Sequence, residues 1–496
     1  MFFLGVDLGT TNIKVILYNE KMEKLAEESH AVAYEQNGKF VEFDAEDYFA
    51  LLEKQIENCC GKYFEAKPYP VAQVVLTGQA ESLIVLGADK KPLRQAISWM
   101  DMRSGSECEE LKAKFDVDTC YHITGQPEIV PTWPVTKILW IKHHEKAEVF
   151  DKAAYYLLLK DYIVFRMCGR MLGDHSIYNF SHYFNITEKV FWDEILEYVG
   201  IRKEQLPETA PSCTVAGKAC GTFAENSGLS QDTSVNIGTL DHFAGMIGTG
   251  NIHEGTISES TGTVLALATL LEKPLFSEEM VALHCGPFEG TYVLLPVCES
   301  GGSSLEWFKR SCMSQVSYRE MDEELDSRKK PGKVLFIPYI TGANSPDFNM
   351  KASGVFFGLR AEHDGYDMAL AVMEGVTHLL NKNVISMEKA GIPIRQIIST
   401  GGGAKSPLWC QMKADLTGKT VCLPKDKEAA CLGAAIIGAV SEGVFKDFDE
   451  AAEKTISMEK VYEPEKYEAY EIRRQLYDTV YSGVQAAYDL MPATGE

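Results

Sequence analysis

The sequence predicts an α/β protein built from two similar halves, and three observations carry that prediction. An apolar run (Phe2, Phe3, Leu4, Val6) holds one acid, Asp7, breaks at Gly9-Thr10-Thr11 and resumes from Ile13 to Tyr18, the pattern of a hairpin. About half the chain later a second strand-and-hydroxyl turn, Ser258 to Thr263, leads into the apolar run Val264 to Leu270. Strand-like and helix-like stretches alternate after each turn, as in layered α/β folds. The expected halves are residues 1–246 and 247–496, packed with a cleft between them.

The elements follow in order. The tip of the opening hairpin offers backbone N–H groups and two hydroxyls to a phosphate. An acid entering such a tip is costly to bury unless it holds a metal or a water, so Asp7 is a candidate Mg²⁺ residue beside phosphates cradled by Gly9, Thr10 and Thr11. Lys14 lies on the second strand, either near those phosphates or in solvent. Asp44 to Asn58 reads as helix, with Asp44 as N-cap and Asp47 in a capping-box position. Val71 to Thr77 and Ser82 to Gly87 read as strands, and Glu107 to Lys114 and the stretch around Ile138 to His144 as helices. In the second half, Asp367 to Ala390 reads as a long helix, Ile394 to Thr400 as a strand ending at Gly401-Gly402-Gly403, and the charged tail from Asp449 as helical.

Composition excludes some classes of function. At 496 residues the chain exceeds one ordinary core. A formal net charge of −23 argues against a general nucleic-acid binder, though not against binding one nucleotide. No apolar run approaches the roughly 20 residues of a spanning helix, and no targeting segment is expected. Thirteen cysteines with no CxxC pair fit reduced thiols and a cytoplasmic location.

Four segments resemble the FGGY family of carbohydrate kinases, within the actin-like ATPase superfamily. They are GVDLGTTNIK from Gly5; PVTKILWIKHH from Pro134, where Thr132 departs from the family's opening position; GVFFGLRAEHDGYDMALAVME from Gly354; and STGGGAKSPLWCQMKAD from Ser399, followed by CLGAAIIGAV. The resemblance implies two actin-like (ribonuclease H-like) domains with a cleft between them, and an ATP- and Mg²⁺-dependent kinase for a small sugar. Phosphoryl transfer needs in-line positioning, charge neutralisation and a base for the attacking hydroxyl. By similarity that base is Asp241, in NIGTLDHFAGMIGTG; read alone it would be a helix cap. Thr261, Gly262 and Thr263 would hold phosphates from the second half. GGGAKSPLW lacks P-loop spacing, and Gly402, Gly403 and Ala404, with Ser406 and Gln411 nearby, are expected against the adenosine.

Sugar contacts are expected from GQAES and SWMDMRS: Asp101 and Arg103 first, then Gln79 and Glu81. His242 either bonds a substrate hydroxyl or caps its helix. Xylulokinases resemble one another in a Met-His pair where this chain has Ala80-Glu81, and glycerol kinases in an Arg-Glu pair, so the specificity positions match neither. The framing looks most like the xylulokinase branch, implying a ketopentose such as xylulose or ribulose, with a polyol or six-carbon ketose as the alternative. An actin-like ATP-binding module without sugar kinase activity is the rival of another class. Expected partners are the sugar and ATP, with no nucleic acid and no membrane, and a homodimer is a candidate assembly. Closure of the halves around the sugar is also expected.

Overall fold

A computed structural model of the chain describes residues 1–491. The chain divides into two compact units: Met1–Ile252 with Leu271–Val293 and Glu428–Ile456, and His253–Leu270 with Leu294–Lys427 and Ser457 onward. The single cut expected after residue 246 is therefore corrected, because two later segments return to the first unit.

Both units are built on one strand plan. In the first unit Phe2–Leu8 pairs antiparallel with Asn12–Asn19, and parallel with Gln73–Gly78. Ser234–Asn236 continues the parallel run, and Val215–Lys218 closes that side antiparallel. In the second unit Thr256–Thr261 pairs antiparallel with Leu265–Leu271 and parallel with Gln396–Thr400. Thr420–Pro424 continues parallel, and Met458–Tyr462 lies antiparallel at the edge. The repeat suggested by the two hydroxyl turns is thus a repeat of topology. Where the first turn is preceded by Asp7, the second is preceded by Ser260, so one unit alone carries an acid at this point.

The first sheet is covered on both faces, which explains its continuous apolar strands. Leu4, Val6 and Leu8 pack with Phe49, Leu52 and Ile56 of the helix Ala45–Gly61. Phe3, Ile16 and Val75 pack with Leu432, Ile436 and Ile437 of the helix Ala429–Ser441. Asp44 caps the first of these helices, accepting from Glu46 N and Asp47 N at 2.8 and 2.9 Å. The second lies against the helix Asp241–Thr249. A Cβ on Gly433 would stand 1.8 Å from the Ala244 carbonyl oxygen, and one on Gly248 1.9 Å from that of Ala429. Glycines at the crossing let the two backbones touch, and this sets the position of the helix that Asp241 begins.

The charged tail holds the helix Phe448–Thr455, then the strand Met458–Tyr462, then the helix Glu471–Tyr488. The strand corrects the all-helical expectation: four of its five residues are exposed, so its sequence lacks an apolar face, and pairing to Thr420–Pro424 forms it. Among the described residues no helix is long and apolar enough to cross a membrane.

Gly433→Ala is expected to destabilise the protein by about 2–3 kcal/mol through overpacking at the crossing, read as a lowered midpoint in thermal denaturation. An unchanged midpoint would mean that the helices do not meet there.

Candidate active site

The first unit brings three carboxyl groups into one electrostatic neighbourhood. Asp7 lies one residue short of the end of its strand, opposite Lys14 on one side and Thr77 on the other. Its Oδ1 is buried and has no hydrogen-bond partner among the described residues. Burial first, then the Asp241 carboxylate, push Asp7 up to about 7, Lys14 opposing and Glu428 adding. Lys14 is itself ion-paired with Glu428, which immediately precedes the helix Ala429–Ser441. Asp241 is half-buried as the first residue of its helix, and its Oδ1 accepts from His242 N at 2.6 Å. The segment before it is pinned: Thr77 Oγ1 donates to the Thr239 carbonyl at 2.9 Å, and Leu240 N to Ser176 Oγ at 3.0 Å.

Glu81 is the third carboxyl. It is buried, and its backbone takes a φ of +70°, costly for a residue with a Cβ. Burial pushes it up to about 8; Lys137 opposes this and Asp241 adds to it. Lys137, buried in turn, is drawn down to about 8 and donates to the Ser98 carbonyl at 2.8 Å. Lys137 was not among the expected site residues; the available signal was a charged residue inside an apolar helix pattern.

The phosphate turn is braced from behind. The Gly9 carbonyl accepts from Gln79 Nε2 at 3.3 Å and Tyr48 Oη at 3.4 Å, and Thr10 Oγ1 accepts from Trp99 Nε1 at 2.8 Å. Thr11 is exposed. Gln79 Oε1 accepts from Ser82 Oγ at 2.7 Å, so Gln79 braces the turn where a sugar contact was expected. Asp101 and Arg103 depart from expectation in the same way. Asp101 has no exposed surface and accepts from Val41 N at 2.6 Å and from Arg103 Nε at 2.8 Å. The Arg103 guanidinium also bonds Glu42 at 2.6 Å and lies over the rings of Phe40 and Trp140. The pair satisfies itself internally, whereas Glu81, also of the expected sugar set, feels the Asp241 charge. His242 is exposed on the first turn of the Asp241 helix, near the buried His284.

The second unit holds a cavity of about 950 Å³ lined by Thr261, Gly262, Thr263, Gly402, Gly403, Ser406 and Gln411, among others. Ala404 does not line it. The Thr261 hydroxyl is engaged within the unit: buried, it donates to Glu259, and Lys413 Nζ binds Glu259 at 2.7 Å, Thr261 Oγ1 at 3.0 Å and Ser399 Oγ at 3.1 Å. Gly262 and the exposed Thr263 remain at the surface of the turn. Ser406 caps the helix Pro407–Thr417, accepting from Trp409 N at 3.1 Å.

Among the described residues no group of three or more His, Cys, Asp or Glu side chains is arranged to hold a metal. The orphaned Asp7 Oδ1 beside Asp241 nonetheless suits Mg²⁺, which keeps waters and is held by one or two carboxylates together with substrate phosphates.

Comparison with known proteins places the chain in one family. The model of the N-terminal domain of the FGGY family of carbohydrate kinases matches residues 2–248, and that of the C-terminal domain residues 257–442. The chain is similar to a xylulose kinase of Bacillus subtilis (strain 168), 28% identical over 489 residues and 97% of each chain. It is also similar to a gluconokinase of Bacillus licheniformis, 27% identical over 486 residues, 95% of this chain and 94% of the relative. Among solved structures, a ligand-bound xylulose kinase from Lactobacillus acidophilus superposes with a TM-score of 0.90 at 25% identity, covering 98% of this chain and 99% of that one.

A raised carboxyl is protonated at neutral pH and resists ionisation in the folded protein, so the stability linked to Glu81 falls as pH rises from its ordinary 4.5 through about 8. Over the upper part of that range Glu81 loses its donor hydrogen and gains a charge beside Asp241. The KM for the acceptor is expected to rise above pH ~8, and Glu81→Gln to flatten that rise between pH 7 and 9. The same rise in the variant would remove Glu81 from the acceptor site.

Proposed function

The chain belongs to the FGGY family of carbohydrate kinases and is an ATP-dependent sugar kinase, and we propose that its acceptor is a small neutral ketose, first a ketopentose such as xylulose or ribulose. The observation that carries this reading is the set of carboxyls at Asp7, Glu81 and Asp241, with the neighbouring cations already engaged: Lys14 by Glu428 and Lys137 by the Ser98 carbonyl. Such a set accepts from and donates to hydroxyls, and neither of these two cations is left to pair a carboxylate, so an aldonate such as gluconate is disfavoured. The relatives named as xylulose kinases support the pentulose. A polyol or six-carbon ketose satisfies the same chemistry and is the second reading.

In this mechanism Asp241 takes the proton of the acceptor hydroxyl as it attacks the γ-phosphate. A carboxylate at a helix N-terminus is stabilised as the anion by the helix dipole, which suits a base. Gly9, Thr10 and Thr11 line the phosphates through N–H groups and hydroxyls, with Gly262 and Thr263 serving the nucleotide on the second unit. Asp7 would hold Mg²⁺ through water, the ion supplying neutralisation of phosphate charge when bound. Gly402 and Gly403 let the backbone approach the adenosine, with Ser406 and Gln411 at its rim.

Two measurements test this. A kinase assay over pentuloses, hexuloses, polyols, glycerol and gluconate at matched concentrations is expected to give the highest kcat/KM with a ketopentose; gluconate as best substrate would overturn the neutral reading. Asp241→Asn is expected to lower kcat by roughly 10²–10⁴-fold while ATP still binds. Retained turnover would remove Asp241 as the base.

A further inference from the structure

We propose that Ser176, oriented by the buried Lys160–Asp174 ion pair, is the positioning residue for Asp241: it fixes the backbone from which that carboxylate projects. The inference rests on reading Asp241 as the base of phosphoryl transfer, and every group in it belongs to the first unit.

The helix Asp241–Thr249 begins without a cap of its own. Its N-cap residue is Leu240, whose side chain offers no acceptor, so the start of the helix must be held from elsewhere. The segment leading to it is held at several points. Ile237 N donates to the Thr214 carbonyl at 3.0 Å, Gly238 N donates to Asn236 Oδ1 at 2.8 Å, and the Gly238 carbonyl accepts from Cys213 N at 2.7 Å. Gly238 takes a φ of +56°, and a Cβ there would stand 1.8 Å from the Leu76 carbonyl oxygen, so the segment lies directly against the neighbouring strand. One residue before Asp241 the anchor is Ser176, whose Oγ accepts from Leu240 N at 3.0 Å and lies 3.1 Å from Thr239 Oγ1.

Ser176 is set by the charges behind it. Lys160, Asp174 and Ser176 have essentially no exposed surface. Asp174 Oδ2 is ion-paired with Lys160, while its Oδ1 accepts from Ser176 N at 2.9 Å, from Ser212 Oγ at 3.0 Å and from the Ser176 hydroxyl. Capping the short helix His175–Tyr178 requires only the bond from Ser176 N, so the hydroxyl bond is additional. A serine hydroxyl has one hydrogen. Because Asp174 takes it, Ser176 Oγ can only accept on its other side, and Thr239 Oγ1 is the donor in their contact. Thr239 and Leu240 thus both bring hydrogens to one oxygen. With its carboxylate held by a cation inside the unit, this charge-assisted chain has a single arrangement. Asp241 stands between two fixed points, the Ser176 oxygen before it and the glycine crossing of its helix with Ala429–Ser441. A base must meet the acceptor hydroxyl within hydrogen-bond reach, and a misplacement of about 1 Å can cost about 10²-fold in rate.

The test compares two alanine variants of the full chain, assayed well below their thermal midpoints with ATP and the acceptor sugar that gives the highest kcat/KM. Ser176→Ala removes the oxygen that holds Leu240 N. Ser227→Ala is the matched control. That buried serine also donates to a carbonyl, of Phe223 at 2.6 Å, and accepts a backbone N–H, from Leu229 at 3.4 Å, but it sits at the end of the helix Gly221–Ser227. Both variants are expected to lower the thermal midpoint alike, each losing one buried hydroxyl. Ser176→Ala alone is expected to lower kcat, by roughly 10- to 100-fold, with KM for ATP and for the sugar within about threefold of wild type. A wild-type kcat in Ser176→Ala, an equal loss of kcat in Ser227→Ala, or a loss confined to KM would overturn the assignment. Full turnover by Asp241→Asn would instead remove the base itself, whatever the result at Ser176, so the two failures are told apart.

Discussion

Burying two carboxyl groups, Asp7 and Glu81, each within reach of the Asp241 charge, is the constraint on which the rest of the site depends. Like charges at close range cannot all ionise without cost, and burial raises that cost. The fold meets it with several devices. Lys14 opposes the upward shift of Asp7 and Lys137 that of Glu81, and the raised positions of those two carboxyls let them hold protons near neutral pH. The cations are held in turn, by Glu428 and by the Ser98 carbonyl. An apolar cluster of similar volume would be easier to fold and would have nothing to offer a hydroxyl or a metal.

The second unit treats its phosphate turn differently. Where the first turn has Asp7, the second has Ser260, and the charge lies one residue earlier and inward, as Glu259 paired with Lys413. That buried pair ties together the strand before the turn, through Thr261, the strand before the glycines, through Ser399, and the helix after them. A fully satisfied buried network of this kind rigidifies what it joins. The turn and the glycine segment are consequently fixed in relation to each other, which would lower the ordering cost of any ligand held between them.

Much of this was legible in the sequence, for identifiable reasons. Apolar runs broken by Gly and Thr at 9–11 and 262–263 report hairpins because burial on both faces demands continuous hydrophobicity. Asp44 announces its helix because a cap is a local interaction. Asp241 is read as a base only through family resemblance, its local signal being that of a cap. What was not legible depends on partners distant in sequence. Asp101 and Arg103 have the chemistry of a sugar site, and only Val41, Glu42, Phe40 and Trp140, folded around them, show that they satisfy each other. Gln79 and Thr261 are likewise hydrogen-bonded to neighbours that local sequence does not reveal, and the strand Met458–Tyr462 exists because another strand is there to pair with it.

The path of the chain between the two units also bears on biogenesis. The helix Ala429–Ser441 covers one face of the first unit's sheet and meets the Asp241 helix at the glycine crossing, although 175 residues, 253–427, separate Glu428 from the end of the opening stretch at Ile252. A ribosome that has released only that opening stretch has made a sheet with Phe3, Ile16 and Val75 uncovered. The nascent protein must keep this surface from aggregating while most of the second unit is translated. Completion of the catalytic half is thereby deferred until synthesis is nearly over, and a fragment ending at Ile252 would be left with a sticky face in place of an enzyme domain.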